Sequence, residues 1–308
     1  MISMIIKPNN SPYYGKDGDK FTYSQIKERM LKEAENDVSL RVVFDNKQKD
    51  SIIIYGRGDL HLGIILEKLR REGFEMSVFP PQVIFKEGEG KEKLEPIEEL
   101  TIEFDKEFIT PLIDMTMTRF GEISDSIDLN NGKVKVVLEI PTRGMFGLRT
   151  RLINMTKGHV IIQSKLKGFE PFKGEIKRTN RGVILSMQKG KCTAYALKDA
   201  ENHGELYVVP GSEVYEGQVI GEMTKEGGEV ELNPCREKAT SNVRTTSKDD
   251  NIKLLPAKSF TIEECMSILR GDELIEVTPK NIRIRKKVLD NAMRRKLRRE
   301  GKLDSMVL

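Results

Sequence analysis

The sequence predicts an α+β protein: two successive split βαβ units, then a mostly β region that ends in a basic helix. Three observations predict it. Strand-like and helix-like periodicities follow the order β-α-β-β-α-β over residues 1–82. The same order returns over residues 83–166. From residue 167 onward, short β-branched stretches broken by Gly and Pro take over. The first two units are therefore expected to be ferredoxin-like domains in tandem, and residues 167–308 a β-rich domain with a helical tail.

In the first unit, residues 1–8 (MISMIIKP) suit a strand, and 9–20 (NNSPYYGKDGDK) carry turn chemistry throughout. Thr22 to Asp37 follow a charged helical pattern. Leu40–Asp45 and Ser51–Tyr55 are β-branched strands around a polar turn. The second helix follows Gly56-Arg57-Gly58-Asp59, because Leu62, Ile65, Leu66 and Leu69 fall at i, i+3, i+4 and i+7. Asp59 is the expected N-cap and Gly73 the C-terminal stop. Phe74–Val78 closes the unit before Pro80-Pro81, and a short linker is expected near residues 80–95.

The second unit reads as a strand at Ile97–Phe104, a helix at Lys106–Phe120, and a hairpin of Glu122–Leu129 and Lys133–Ile140 around Asn130-Asn131-Gly132. A helix at Gly144–Met155 and a strand at His159–Leu166 complete it. In the third region strands are expected at Gly182–Gln188, Thr193–Leu197, Gly204–Val209, Val219–Glu222, Ile252–Leu255 and Ile282–Lys286. Helices are expected at Thr261–Arg270 and Leu289–Gly301.

Composition narrows the function classes. The three cysteines, Cys192, Cys235 and Cys265, are odd in number and far apart, which indicates neither a disulfide framework nor a zinc site. A reducing, cytoplasmic setting is expected. No apolar run reaches the roughly 18 residues of a membrane helix, and Met1–Asn10 lacks a signal peptide's basic and apolar regions. No metal site, nucleotide-binding phosphate loop, nucleophile elbow or zinc-protease helix motif occurs, and His61, His159 and His203 stand apart. Gly15-Lys16 has no upstream glycine and no following helix, so it is read as a plain loop. Arg57-Gly58-Asp59 is read as a turn and cap. No catalytic centre is expected within the chain.

The net charge of +4 is unevenly spread. Arg283 to Lys302 holds ten basic residues against Asp290 and Glu300, a local +8 that leaves −4 for the remainder. Such asymmetry is the footprint of a polyanion partner. Arg294, Arg295, Lys296, Arg298 and Arg299 crowd one helix, where like charges at i, i+4 repel. A second candidate is the polar stretch from Cys235 to Lys248, which mixes Arg and Lys with Ser, Thr and Asn. Those side chains meet phosphate oxygens and 2′-hydroxyls. The stretch has no aromatic residue, so base stacking is not its mode.

Several motifs carry a resemblance. In order they are Asn10-Ser11-Pro12, Gly56-Arg57-Gly58-Asp59-Leu60-His61-Leu62, Arg70-Arg71-Glu72-Gly73-Phe74-Glu75, and Pro141 to Gly147 (PTRGMFG). Gly211 to Gln218 (GSEVYEGQ), Asn233-Pro234-Cys235 with Asn242-Val243-Arg244, Asp272 to Pro279 (DELIEVTP), and Ile282 to Lys286 (IRIRK) follow. Together they resemble the C-terminal half of the TypA/BipA family, ribosome-associated translational GTPases related to elongation factor G. The helix-start motif is shared across that superfamily, whereas the stretches at 211–218, 233–244 and 272–286 are specific to TypA/BipA.

The resemblance implies that the two ferredoxin-like units correspond to domains III and V of the elongation-factor plan, without a domain IV. It implies a ribosome partner, with large-subunit rRNA and A-site tRNA contacted by the loop matching residues 236–248. The nucleotide-binding domain, with its GTP and magnesium, would precede residue 1, so no cofactor is expected in this chain. A monomer acting in translation regulation and in ribosome assembly under stress is expected. The chain departs from the family after the first helix of the second unit, where Arg119 is followed by Phe120, Gly121, Glu122 and an acidic run from Asp125 to Asp128.

The expected RNA-binding residues are thus Arg236, Lys238, Asn242, Arg244, Lys248, Lys253, Arg283, Arg285, Lys286, Arg294, Arg295, Arg298 and Arg299, with Arg119, Arg143 and Arg149 in the second unit. Two rival readings are a protein-interaction adaptor using the ferredoxin-like sheets, and a partner that completes a separately encoded GTPase.

Overall fold

A computed structural model describes residues 1–44, 50–88, 90–129, 131–176, 181–237 and 252–302. Strand β1 (Ile2–Pro8) buries Ile2, Met4 and Ile6 on one face. Helix α1 (Tyr23–Asn36) opens on a capping box, in which Thr22 accepts from the Gln25 backbone and the Gln25 side chain returns the bond. β2 (Arg41–Phe44) and β3 (Ile52–Gly56) form a hairpin. Helix α2 (Asp59–Arg71) buries Leu62, Ile65, Leu66 and Leu69, the stripe its spacing predicts, and stops before Gly73. Its N-cap is Gly58 rather than Asp59, whose carboxylate accepts from the adjacent Leu60 N–H. β4 (Met76–Val78) completes the order β4-β1-β3-β2.

The expected linker is strand-paired. β5 (Gln82–Val83) pairs with β1, and β6 (Lys86–Glu87) pairs with the long β7 (Lys93–Asp105). After β7 come α3 (Ile109–Met117), β8 (Glu122–Asp128), β9 (Lys133–Pro141), α4 (Leu148–Met155) and β10 (Val160–Pro171). Their sheet order β10-β7-β9-β8 repeats the ferredoxin-like plan. The helices cover one face around Leu100, Ile102, Phe104, Leu138 and Ile140.

The third region contains β11 (Arg181–Ser186), β12 (Gly190–Lys191), α5 (Ala194–Glu201), β13 (Gly204–Leu206), β14 (Glu213–Val214), β15 (Val219–Glu226) and β16 (Glu229–Leu232). Then follow α6 (Ile262–Ile268), β17 (Glu273–Val277), β18 (Ile282–Lys286) and α7 (Asn291–Arg299). The expected strand at Thr193–Leu197 is instead the start of α5: the Thr193 hydroxyl accepts from the Ala196 N–H and caps a helix. A five-residue apolar run fits either element, and the cap decides. The described part of Ile252–Leu255 is not a strand either.

The hairpin of β17 and β18 leaves its own region and adds to the first sheet, giving β18-β17-β4-β1-β3-β2 with Ile275 opposite Val78. This covers the β4 edge, which would otherwise expose unpaired backbone. α6 packs on α2 close to Gly63, where a Cβ would fall 2.7 Å from the Glu263 side chain. The first core therefore includes Val183, Leu185, Ile262, Met266 and Ile284 from the third region.

Candidate nucleic-acid interface

The polar segment is rooted at both ends on one helix. At its start, the Arg236 carbonyl accepts from the Thr193 hydroxyl at 2.6 Å, while the Arg236 guanidinium pairs with Asp199 and lies 5.2 Å from the Tyr195 ring centroid. At its far end, the Lys253 carbonyl accepts from the Lys198 ammonium at 3.2 Å, and the Leu255 N–H donates to Glu201 at 2.5 Å. Thr193 caps α5, and Tyr195, Lys198, Asp199 and Glu201 belong to it. The side chain of Arg236 is half exposed, and Lys253 is exposed. Lys238, Asn242, Arg244 and Lys248 lie outside the described residues.

The C-terminal helix has two faces. Arg294 (2% exposed) and Leu297 are buried. Arg294 bonds Glu231 at 2.7 Å and the backbone carbonyls of Val288 and Leu289. On the outer face, Arg295 reaches Glu231 at 3.1 Å and Arg298 reaches Glu229 at 2.6 Å, yet both stay half exposed or more. Lys296 and Arg299 are exposed, with no ion pair to another described residue. Asp290 caps the helix, and Lys296, Arg298 and Arg299 occupy its last turn, where cations favour the helix dipole. The like-charge repulsion expected of this tail is therefore partly met from inside, by two glutamates of β16.

Three expected RNA ligands are internal and leave the candidate surface. Arg285 is 1% exposed and donates to Asn10 and, at 3.4 Å, to the Ser77 hydroxyl. Burial pulls its guanidinium below the usual arginine range. Lys286 is fully buried among Asp272 (2.7 Å), Glu229 (2.8 Å) and Glu273 (2.9 Å). Burial pulls this ammonium down, but the three carboxylates more than compensate, and its pKa ends above the ordinary value. Arg294 is the third. Arg283 is only 10% exposed, with Glu276 at 3.4 Å, Asp17 at 3.7 Å and the Tyr13 ring centroid at 5.5 Å. A sequence signal for this did exist. ELIEV in β17 and IRIRK in β18 carry opposite charges that the hairpin register sets face to face, Glu273 across from Lys286 and Glu276 across from Arg283.

In the second unit, Arg119 donates to the carbonyls of Gly144 (2.7 Å) and Phe146 (2.8 Å). Arg143 forms a two-pronged bond to the buried Glu95 at 2.5 and 3.1 Å and stacks over Phe172. Both hold the turn before α4 in place. Arg149, on α4, is exposed.

The remaining chemistry is structural. His61 Nδ1 accepts from the Arg57 N–H, so Nε2 carries the proton that it donates to Asp37 at 2.6 Å. Hydrogen bonds from Ser39 and then from His61 hold the Asp37 carboxyl well below the usual range. Burial pushes the Cys192 and Cys265 thiols up to about 12, which suits packing rather than thiolate chemistry. Among the described residues, no cluster of His, Cys, Asp and Glu is arranged to hold a metal ion.

Three family models match the chain in succession: "Elongation Factor G, domain III" at residues 15–79, "Elongation factor G C-terminus" at 92–180, and "TypA/BipA C-terminal domain" at 181–291. Curated relatives carry the name Large ribosomal subunit assembly factor BipA. The Bacillus subtilis protein is 36% identical over 302 residues, covering 98% of this chain and 49% of its own length. The Escherichia coli K12 protein is 35% identical over 304 residues, 98% of this chain and 50% of its own. The Synechocystis protein is 35% identical over 285 residues, 92% and 47%. The chain thus spans about half the length of the curated relatives it matches.

Proposed function

Because this chain belongs to the TypA/BipA family and matches the C-terminal half of its members, we propose that it acts as the ribosome-facing half of such a factor, binding large-subunit rRNA and A-site tRNA during ribosome assembly. The observation that carries this is the rooting of the polar segment. Arg236 and Lys253, which flank the polar and basic stretch, both bond α5 through their carbonyls, and Leu255 bonds it through its N–H, so the two flanks share one helical base. Arg236, Lys238, Asn242, Arg244, Lys248 and Lys253 are the segment's RNA-contacting side chains on this reading. Arg295, Lys296, Arg298 and Arg299 add sequence-independent phosphate contacts from the exposed face of α7, and Arg149 adds one from α4. The units at 1–82, 83–166 and 167–308 serve as domain III-like, domain V-like and family-specific domains. The family's GTP and magnesium chemistry belongs on this reading to another domain. The chain works as a monomer in the cytoplasm.

Co-sedimentation with large ribosomal subunits across a salt series tests this. The triple variant Lys238→Glu, Arg244→Glu, Lys248→Glu should bind more weakly, and its log–log salt slope should flatten by about two to three units. Unchanged affinity and slope would remove the loop from the interface.

A further inference from the structure

The Gly15-Lys16 loop lies against the third region and forms an open cleft of about 690 Å³ there. Tyr13, Tyr14 and Lys16 line one side, and Lys189, Lys191 and Glu213 the other. Lys16 pairs with Glu213. Lys189 and Lys191 are exposed and form no ion pair with another described residue. Three cations gather around the Tyr13 ring, with Lys16 Nζ at 4.7 Å, Lys189 Nζ at 5.1 Å and Arg283 Cζ at 5.5 Å from its centroid. Tyr13 is 6% exposed and its hydroxyl donates to the Val214 carbonyl at 2.9 Å, so the ring is fixed. Burial and Glu213 raise its pKa, so it stays neutral and does not cancel the lysines. Positive charge is left facing solvent, in a cavity of the size that takes a small polar ligand.

Tyr14 adds a second feature. It is 49% exposed and packs edge-to-face on Phe21 at 4.7 Å between centroids. The polar segment contains no aromatic residue; the cleft has an exposed one, Tyr14, beside its lysines. The cleft is also continuous with the root of that segment. Lys191 ends β12, and two residues later Thr193 bonds the Arg236 carbonyl at 2.6 Å and, through its N–H, the Pro234 carbonyl at 2.9 Å.

We propose that this cleft takes one nucleotide of single-stranded RNA, with its base on Tyr14 and its flanking phosphates on Lys16, Lys189 and Lys191. The proposal rests on the RNA-binding reading of the loop and extends its track from Arg236 across β12. An unstacked base is required, since a duplex offers no free face to Tyr14.

The test is fluorescence anisotropy of the full chain with a labelled RNA hexamer and a matched hairpin duplex, over a salt series. Tyr14→Ala should weaken single-strand binding about tenfold with an unchanged salt slope. The pair Lys189→Gln, Lys191→Gln should weaken it and flatten the slope by about 1.4 units. Circular dichroism should match the parent for both variants. Parent-like affinity and slope in both variants would overturn the cleft assignment. If the loop triple variant still loses ribosome binding in that case, the function proposed above stands without it. Weakened hexamer binding in the cleft variants, with a loop triple that sediments like the parent, supports the cleft and removes the loop. Inorganic phosphate displacing the hexamer as well as a mononucleotide does would reduce the cleft to a free-anion site and overturn the RNA proposal, as would a parent that binds no RNA.

Discussion

The Arg294 guanidinium stands 2.7 Å from the Glu231 carboxylate, beneath the face of α7 that carries the other cations. Glu231 also meets Arg295, and its neighbour two residues back, Glu229, meets Lys286 and Arg298. Two alternate residues of β16 therefore sort one run of basic residues into anchors and exposed charges. Arg294→Met should destabilise the chain by about 1.5–3 kcal/mol, because it removes one charge-assisted bond from a nearly buried carboxylate that keeps Arg295. The pair Lys296→Gln, Arg299→Gln should change stability by less than about 0.5 kcal/mol, yet flatten the salt slope of ribosome binding by about two units. Thermal unfolding and the co-sedimentation series separate the two effects. A stable Arg294→Met variant would contradict the anchor role.

Glu276 ties three parts of the chain together. It accepts from the Tyr215 hydroxyl at 2.5 Å, the Ser11 hydroxyl at 2.6 Å and the Asn9 amide at 3.1 Å, all within the interior. Tyr215→Phe removes one bond to a buried anion and should cost about 1.5–3 kcal/mol. Urea unfolding should show the lower midpoint with an unchanged m-value; a lower m-value would instead mean that the regions come apart in separate steps.

Burial pushes the Glu229 carboxyl up, but Lys286 and Arg298 outweigh it, so its pKa lies below the ordinary 4.5. A depressed carboxyl contributes stability that is fully present above 4.5 and is lost as the pH falls through its folded value. Glu229→Gln should therefore melt below the parent at pH 7, and the gap should narrow once the pH drops under 4.5. A gap of equal size at pH 7 and at pH 3 would show that shape rather than charge sets the effect.

Gly204 begins β13 where it meets β15, and a Cβ there would lie 1.9 Å from the Glu222 carbonyl oxygen. Backbone cannot yield as a flexible side chain can. Gly204→Ala should force the strands apart and cost about 1–3 kcal/mol or more. Calorimetry on the purified variant reads it directly; an unchanged melting temperature would mean that β13 moves freely.

The ferredoxin-like units were legible because their signals are local. The stripe Leu62, Ile65, Leu66, Leu69 and the alternation of Ile2, Met4 and Ile6 each lie within one element and are buried as their periods require. Thr193–Leu197 was less legible, because so short an apolar run suits strand or helix until a cap is formed. β17 and β16 were missed: the two glutamates in each hid strands whose acidic residues turn toward buried cations.

The sequence by itself determined the order of the elements in the two ferredoxin-like units, the family resemblance and the two basic segments, since each is written in neighbouring residues. Only the tertiary structure decided which cations face solvent. Arg285 meets Asn10 across 275 positions, and Lys286 meets Glu229 through a hairpin that joins a distant sheet. A charge is buried only when the chain brings it a partner, and that depends on packing between elements that no local pattern records.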